Sequence, residues 1–320
     1  MPLGEFDLIA QFFDVPTHDD SVVLGIGDDA AIVQVPNGQQ LLISTDTLNC
    51  GIHFPQQTSA ADIAFKTVAV NISDLAAMGA TPKWATLNLS VPSVDPQWLR
   101  EFAASLHQQL AAFGVTLIGG DTTRGPLSLT LTVMGVVADG KALRRDRAQV
   151  GDLIVVSGTV GDARLGLELA LQKTTVNDSA HRDYLVQRLN QPTARIQHSG
   201  VIRDVAHAAI DISDGLAQDL SHILRRSHCG AVIDVEKLPL SSALRFSLSE
   251  KQAWQYALAG GDDYELLFTV APKDWPSLEQ RLYQQSLTAT VIGRMVAPSG
   301  LQLRVDGKAV QMDSQGFQHF

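Results

Sequence analysis

Residues 208–216 read AAIDISDGL, an apolar run that reaches Asp211 and is followed, after Ile212, by Ser213 and a second aspartate, Asp214. A short apolar run bounded by polar residues and glycine predicts a buried strand that leads into a turn. The same arrangement, in which a strand-like run meets Gly, Ser or Thr and then a carboxylate, occurs at 22–32, 41–48, 115–123, 208–216 and 256–268. Helical patterns separate these runs, so the sequence predicts a mixed α/β fold.

The spacing of apolar residues outlines the remaining elements. It predicts helices at 60–78, 97–113, 163–172, 192–208 and 277–285, and strands at 83–91, 127–137 and 153–157. The turn Pro36-Asn37-Gly38 between apolar runs predicts a hairpin. After Val137 the chain turns polar and basic, which predicts an N-terminal domain at 1–137, a linker at 138–150 and a C-terminal domain at 151–320. A chain of 320 residues is long enough for two such domains.

Composition excludes several classes of protein. The formal net charge of −10 argues against a nucleic-acid partner, because binding a phosphate backbone requires a basic surface. No apolar run approaches the roughly 20 residues that span a membrane, and the N-terminus carries acidic residues where a signal peptide would be basic, so we expect a cytoplasmic protein without a membrane partner. The two cysteines lack CxxC spacing and predict no thiolate metal site.

Two glycine motifs resemble nucleotide-binding fingerprints but lack their context. Gly25-x-Gly27-x-x-Ala30 fits the dinucleotide pattern, yet the residues after it lead towards a hairpin rather than a long helix. Gly135-x-x-x-x-Gly140-Lys141 is followed by alanine where a P-loop needs Ser or Thr to hold magnesium. Neither motif alone predicts a nucleotide site.

The recurrent aspartates suggest a metal site, with helix caps or turns as the alternative for any one of them. Two carboxylates about 4 Å apart repel by roughly 4 kcal/mol at an effective dielectric constant near 20, so converging carboxylates need a cation. Oxygen ligands suit Mg²⁺, which usually bridges carboxylates to substrate phosphates. The glycine pairs before Asp121 and Asp262 let backbone N–H groups approach phosphate oxygens. The basic residues of 141–147 suit phosphate binding or form a solvated linker.

Longer motifs identify a family. GIGDDAAI, ISTDTL, KTVAVNISDLAAMGATP, LIGGDTTRGPLSLT, IDISDGLAQDL, GGDDYELLFTV and the final GFQHF occur in this order along the chain. The sequence resembles the thiamine-monophosphate kinases of the aminoimidazole ribonucleotide synthetase-like superfamily, over residues 4–320. The resemblance implies the two-domain α/β fold of that superfamily and a homodimer formed through strands of the N-terminal domain. It also implies ATP and several Mg²⁺ ions, and transfer of phosphate from ATP to thiamine monophosphate, the final step of thiamine diphosphate biosynthesis.

The resemblance also implies roles for individual residues. The metal ligands it implies are Asp29, Ser44, Thr45, Asp46, Asp74, Asp121, Asp211 and Asp214. The ATP contacts it implies are Phe113, Gly120, Asp121, Arg145 and Ser213. The thiamine monophosphate contacts it implies are His53, Asp262 and Phe317. The family often has Glu where this chain has Asp262, and we expect a tyrosine in the family where Phe113 stands.

The implied mechanism needs no general base. A phosphate monoester has a second pKa near 6, so the attacking oxygen is largely deprotonated at pH 7. Asp46, Asp74 and Arg145 would then organise metal ions and phosphates rather than move protons. Two alternatives stay open at this point, namely another ATP-dependent synthetase of the superfamily and a non-catalytic magnesium–nucleotide sensor.

Overall fold

The computed structural model describes residues 4–15, 19–297, 299–312 and 315–317. The chain divides into an N-terminal unit of residues 1–75 and 80–140 and a C-terminal unit of residues 76–79 and 141–320. In the described part of the chain, no helix has both the length and the apolar character needed to cross a membrane.

The N-terminal unit is built on a four-stranded sheet and two long helices. Its elements are α1 (Glu5–Phe12), β1 (Val22–Leu24), β2 (Ile32–Val33), β3 (Gln39–Asn49), α2 (Ala60–Ala77), β4 (Thr81–Val91), α3 (Pro96–Ala112), β5 (Thr116–Arg124) and β6 (Ser128–Ala138). The sheet order is β3-β6-β4-β5, in which only β4 and β5 are parallel. Strand β3 is therefore an edge strand. Helix α3 is the crossover between β4 and β5 and buries Leu99, Phe102 and Leu106.

The C-terminal unit contains a seven-stranded sheet with helices on both faces. Its elements are β7 (Leu153–Ser157), α4 (Asp162–Ala170), α5 (Ser179–Asn190), α6 (Ile196–Ile202), β8 (Ala208–Asp211), α7 (Leu216–Ser227), β9 (Gly230–Asp234), a 3₁₀ turn (Val235–Lys237), α8 (Ser242–Ser247), α9 (Glu250–Ala259), β10 (Leu266–Val270), α10 (Trp275–Gln284), β11 (Ala289–Val296), β12 (Gly300–Val305) and β13 (Lys308–Val310). The sheet order is β13-β12-β9-β11-β7-β10-β8.

Strand β7 illustrates how this second core forms. Ile154 belongs to the core on the side of α7, where Leu220 is buried. Val155, one residue on, belongs to the opposite core with Leu278 of α10. Because successive strand residues point to opposite faces, a strand covered on both sides is a continuous apolar run.

The mixed α/β fold is confirmed, but several local predictions are wrong. The turn at 36–38 does not form a hairpin, because β2 pairs with β1 and β3 pairs with β6. The apolar residues at 256–259 end helix α9 instead of forming a strand. Asp46 and Asp121 lie inside β3 and β5 and not after the ends of these strands. Each strand continues beyond its apolar run, because the side chains on its partly exposed side can be polar. The helix predicted at 192–208 is the shorter α6.

Candidate active site

The N-terminal unit brings three of the predicted metal ligands to the contact between β3 and α2. Ser44 Oγ donates a hydrogen bond of 2.5 Å to Asp74 Oδ2 on α2. The backbone N–H of Asp46 donates to Asn71 Oδ1 at 3.0 Å, one turn before Asp74. Ser44 and Asp46 share a face of β3 because strand side chains alternate. The structure thus brings Ser44, Asp46 and Asp74 together, with the buried amide of Asn71 holding the backbone of β3.

Thr45 lies between Ser44 and Asp46 on β3, but its side chain points to the opposite face of the strand. Its hydroxyl makes a 3.0 Å hydrogen bond with the Thr132 hydroxyl and donates to Leu131 O at 3.3 Å, both on β6. Its side chain is exposed, unlike those of Ser44 and Asp46. The Thr45 side chain therefore does not join the group, and a metal-binding role for this residue would require its backbone oxygen.

A cavity of about 580 Å³ opens in the same unit. Its walls include Asp29 from the 25–31 loop and Gly120 and Asp121 from β5. Gly120 has φ +141°, and an added Cβ would lie 1.8 Å from Leu87 O of β4, so no other residue fits there. The missing side chain at Gly120 therefore lets β5 approach β4 closely, and the 119–121 segment lines the cavity.

Phe113 does not line this cavity, although the resemblance implies an ATP contact for it. It follows the last residue of α3 and is partly buried. The apolar lining of the cavity includes Ile9 and Phe13 of the N-terminal segment, together with residues such as Leu117 and Ile118 of β5. Sequence reasoning missed this lining, although the spacing of apolar residues in α1 was a usable signal for a helix packed on the sheet.

His53 lies just beyond β3 and has a fixed tautomer when neutral. Its Nδ1 accepts the backbone N–H of Asn49 at 2.9 Å, so the proton of the neutral ring is on Nε2. Lys66, which is only 2% exposed, donates from Nζ to His53 O at 3.0 Å. These bonds fix the loop that carries the predicted substrate ligand.

In the C-terminal unit, the turn after β8 is organised by a residue that sequence reasoning missed. Asp219 Oδ2 accepts the backbone N–H groups of Ser213, Asp214 and Gly215 at 3.0, 3.1 and 3.1 Å. Burial, and then the negative charge of Asp214, raises the pKa of Asp219 to about 7. The aspartate four residues after Gly215, at the start of a helix, was the available signal for this clamp.

Four predicted residues meet at this turn through backbone hydrogen bonds. The N–H of Asp262 donates to Ser213 O at 2.8 Å, and the N–H of Phe317 donates to Asp214 O at 3.0 Å. Gln218 holds the C-terminal segment from its other side, since Nε2 donates to Phe317 O at 2.9 Å. The ring of Phe317 is 46% exposed and so is accessible to a ligand. Ser213, Asp214, Asp262 and Phe317 therefore lie together at this turn.

Asp211 and Arg145 complete the predicted residues of this unit. Asp211 is the buried last residue of β8, two residues before Ser213. Arg145 is exposed, and Ser227 Oγ donates to its carbonyl at 2.8 Å. Burial, and then the charge of Arg145, lowers the pKa of His222 on α7, whereas Asp214 acts on the same imidazole in the opposite direction. The charges of Arg145 and Asp214 thus act on the same imidazole, that of His222.

The oxygen-bearing side chains at the contact between β3 and α2 are of the kind that Mg²⁺ prefers as ligands. Within the described residues, no three side chains of His, Cys, Asp or Glu converge as a preformed metal site. Mg²⁺ does not need such a cage, because it usually binds one or two carboxylates and completes its coordination with waters and substrate phosphates. Asp74 with the adjacent Ser44 hydroxyl, and Asp46 on the same face, provide hard oxygen ligands of this kind.

Family models of known proteins match both halves of the chain. Residues 27–137 match the family model "AIR synthase related protein, N-terminal domain", and residues 149–306 match the corresponding C-terminal domain. The thiamine-monophosphate kinase of Escherichia coli K12 is 48% identical over 322 aligned residues, which cover 100% of this chain and 99% of that protein. The thiamine-monophosphate kinase of Bacillus subtilis is 35% identical over 99% of this chain and 100% of its own.

Solved structures agree with the sequence relatives. The crystal structure of thiamine-monophosphate kinase from Stenotrophomonas maltophilia superposes with a TM-score of 0.85 at 48% identity, covering 92% of this chain and 93% of that chain. A structure of AaThiL complexed with AMPPCP and TMP superposes with a TM-score of 0.78 at 33% identity, covering 98% and 96% of the two chains. Hydrogenase maturation proteins share the fold at 20% identity.

Proposed function

The chain belongs to the thiamine-monophosphate kinase family of the AIR synthase-related proteins, and on this premise we propose how its residues carry out the reaction. It is an ATP-dependent phosphotransferase that converts thiamine monophosphate to thiamine diphosphate. The observation that carries this conclusion is 48% identity to a thiamine-monophosphate kinase along the whole chain.

The proposed step is a direct in-line transfer. A phosphate oxygen of thiamine monophosphate forms a bond to the γ-phosphorus of ATP, while the bond between that phosphorus and the β,γ-bridging oxygen breaks and ADP leaves. The attacking oxygen is already largely deprotonated at pH 7, so no side chain has to remove a proton. What the protein supplies is orientation and charge compensation for two phosphate groups that repel each other.

Magnesium, when bound, would supply the positive charge that the phosphates require. Its proposed ligands are Asp29, Ser44, Thr45, Asp46, Asp74, Asp121, Asp211 and Asp214. The best supported of these are Asp74 with Ser44, and Asp46, which share the contact between β3 and α2. For Thr45 we propose the backbone oxygen as the ligand, because its side chain bonds β6.

The proposed ATP contacts are the backbone of Gly120, the carboxylate of Asp121, the guanidinium of Arg145 and the Ser213 hydroxyl. For the adenine ring of ATP we propose Phe13, which lines the cavity that Gly120 and Asp121 share, while the contact with Phe113 stays a prediction. For thiamine monophosphate we propose His53, Asp262 and the exposed ring of Phe317. The Phe317 ring can stack on an aromatic ring of the substrate.

We also propose a homodimer formed through the N-terminal sheet. Strand β3 is an edge strand, and its outer side carries Leu41 and Ile43, which are 39% and 63% exposed. Thr45 and Thr47 extend the same side and bond threonines of β6. An edge strand with exposed apolar residues favours aggregation unless another chain covers it.

The cytoplasmic location stays a prediction.

The test is product analysis with purified protein, MgATP and thiamine monophosphate. We expect ADP and thiamine diphosphate to form in equal amounts, and no ADP when thiamine monophosphate is omitted. ADP formation without thiamine monophosphate would contradict the proposal. Absence of turnover despite nucleotide binding would favour the non-catalytic sensor.

A further inference from the structure

The segment 260–264, which carries Asp262 between α9 and β10, has a strained backbone. Asp262 and Tyr264 have φ values of +67° and +51°, a left-handed conformation that is unfavourable for residues other than glycine. Their backbone N–H groups donate to Ser213 O and Ile212 O, both at 2.8 Å. Such a conformation persists only where its surroundings hold it in place.

Asp263, between the two strained residues, anchors the segment in the interior. Its side chain is fully buried, and Oδ2 accepts the backbone N–H of Gly161 at 2.6 Å at the start of α4. The N–H of Ala163 lies 3.4 Å from Oδ1. Burial raises the pKa of Asp263 well above its usual value, and the nearby charge of Arg188 acts against this rise.

Arg188 of α5 holds the same segment through its backbone. Its Nη2 donates to the carbonyl oxygen of Asp263 at 3.2 Å and to Glu265 Oε1 at 3.0 Å, so one nitrogen links two points of the chain on either side of Tyr264. Arg188 is 8% exposed and Glu265 is fully buried. The bonds are therefore formed away from bulk water.

Stability alone does not explain these buried charges. Replacing a buried ion pair by apolar residues of similar size is often neutral or stabilising, because desolvation offsets the attraction between the charges. A buried arginine that bonds a backbone carbonyl within a strained segment instead fixes a conformation. The segment fixed here is the one that presents Asp262.

We propose that Arg188 is a positioning residue for thiamine monophosphate binding: through the Asp263 carbonyl and Glu265 it holds the strained segment so that Asp262 faces the substrate. This inference rests on the proposed function, in which Asp262 contacts thiamine monophosphate. It adds a residue of α5 that makes no contact with substrate itself.

Arg195, the residue before α6, offers a matched control. It bonds the same Glu265 carboxylate through Nε, at 2.5 Å to Oε2, and through Nη2 to Oε1. Both of these bonds end on the Glu265 side chain, whereas Arg188 also reaches the Asp263 carbonyl. A lysine at either position keeps the positive charge, but its side chain is one bond shorter than the guanidinium, so its ammonium does not reach the position of Nη2. The two variants therefore differ in the bond to the strained segment and in the 4.0 Å contact between Arg188 Nε and Asp162 Oδ2.

The experiment compares four variants of the full chain. Three are the single variants Arg188→Lys, Arg195→Lys and Asp262→Ala, and the fourth combines Arg188→Lys with Asp262→Ala. For Arg188→Lys we expect the KM for thiamine monophosphate to rise about tenfold, with kcat within about threefold and the KM for ATP unchanged, as for a loss of uniform binding. Arg195→Lys should change the same KM less than about twofold. In the Asp262→Ala background, Arg188→Lys should add no further increase.

Equal rises in KM for the two lysine variants, or an Arg188→Lys effect that is undiminished in the Asp262→Ala background, would overturn the inference while leaving the proposed function intact. An unchanged KM in Asp262→Ala alone would overturn the assignment of Asp262 and the inference with it. If Arg188→Lys does not fold, the double variant Arg188→Met/Glu265→Gln removes the same bond to the Asp263 carbonyl while neutralising both partners of the buried pair. A KM for thiamine monophosphate equal to that of the parent in this variant would overturn the inference.

Discussion

Replacing Asp219 by alanine tests how the turn after β8 is held. The Asp219 side chain is 3% exposed, and its Oδ2 accepts the backbone N–H groups of Ser213, Asp214 and Gly215 at 3.0, 3.1 and 3.1 Å. All three bonds end on one oxygen. Alanine removes that acceptor, whereas asparagine can place its amide oxygen in the same position and keep the three bonds.

The expected loss follows from the burial of the three donors. A buried N–H group left without an acceptor costs about 1–3 kcal/mol. Gly215 is buried, but Ser213 and Asp214 are partly exposed, so water can replace part of the loss at those positions. We therefore expect Asp219→Ala to lower the free energy of unfolding by about 3 kcal/mol. Burial and the charge of Asp214 raise the pKa of Asp219 to about 7, so the charged form is unfavourable here, and neutral asparagine should match the parent within about 1 kcal/mol.

The assay is urea unfolding at pH 7.5 without magnesium or ATP, followed by the fluorescence of the four tryptophans. The alanine variant should unfold at lower urea with an unchanged m-value, and the asparagine variant close to the parent. An alanine variant as stable as the parent, or equal losses for both variants, would refute the reasoning, because the three bonds would then contribute nothing or depend on charge rather than on the shared oxygen.

Three further predictions concern the site and the assembly. Asp46→Asn and Asp74→Asn should each abolish activity while leaving the metal-free protein at least as stable as the parent. Added magnesium should raise the Tm of these variants less than it raises the Tm of the parent. Thr45→Val is the control and should stay active, because the Thr45 side chain lies on the opposite face of β3. An unfolding temperature several degrees lower without metal would instead identify the two carboxylates as structural. Incubation with γ-labelled ATP alone should leave the denatured protein unlabelled, and stoichiometric label on the chain would indicate a phosphoenzyme. If the chain forms the proposed dimer, Ile43→Lys should convert it to a monomer in light scattering; a parent protein that is itself monomeric would contradict the proposal.

The sequence predicted features that depend on neighbouring residues better than those that depend on distant ones. The aspartate at the end of β8 lies where the apolar run placed it, since strand and turn are encoded within a few residues. The prediction of a hairpin at 36–38 is wrong because the partner of β3 is β6, about ninety residues further along the chain. A local turn signal carries no information about such a partner.

The same limit applies to the candidate site. The aspartates at 46, 74 and 214 stand out in the sequence because their motifs are long and ordered. Asp219 and Arg188 do not stand out, because each acts on backbone groups whose position only the folded chain defines. Phe113 lies outside the cavity that Phe13 lines, which its ring and its place in the sequence do not indicate, and its contact with ATP stays a prediction.

The most direct test of the proposed mechanism compares thiamine monophosphate with unphosphorylated thiamine as acceptors at saturating MgATP. A site built from carboxylates accepts a phosphate through magnesium, whereas the hydroxyl of thiamine has a high pKa and would need a general base, which the proposed mechanism does not include. Lost metal contacts and the missing base should together lower kcat/KM for thiamine by a factor of at least about 10³. Comparable values of kcat/KM for the two acceptors would contradict the account and would indicate a hydroxyl kinase with its own general base.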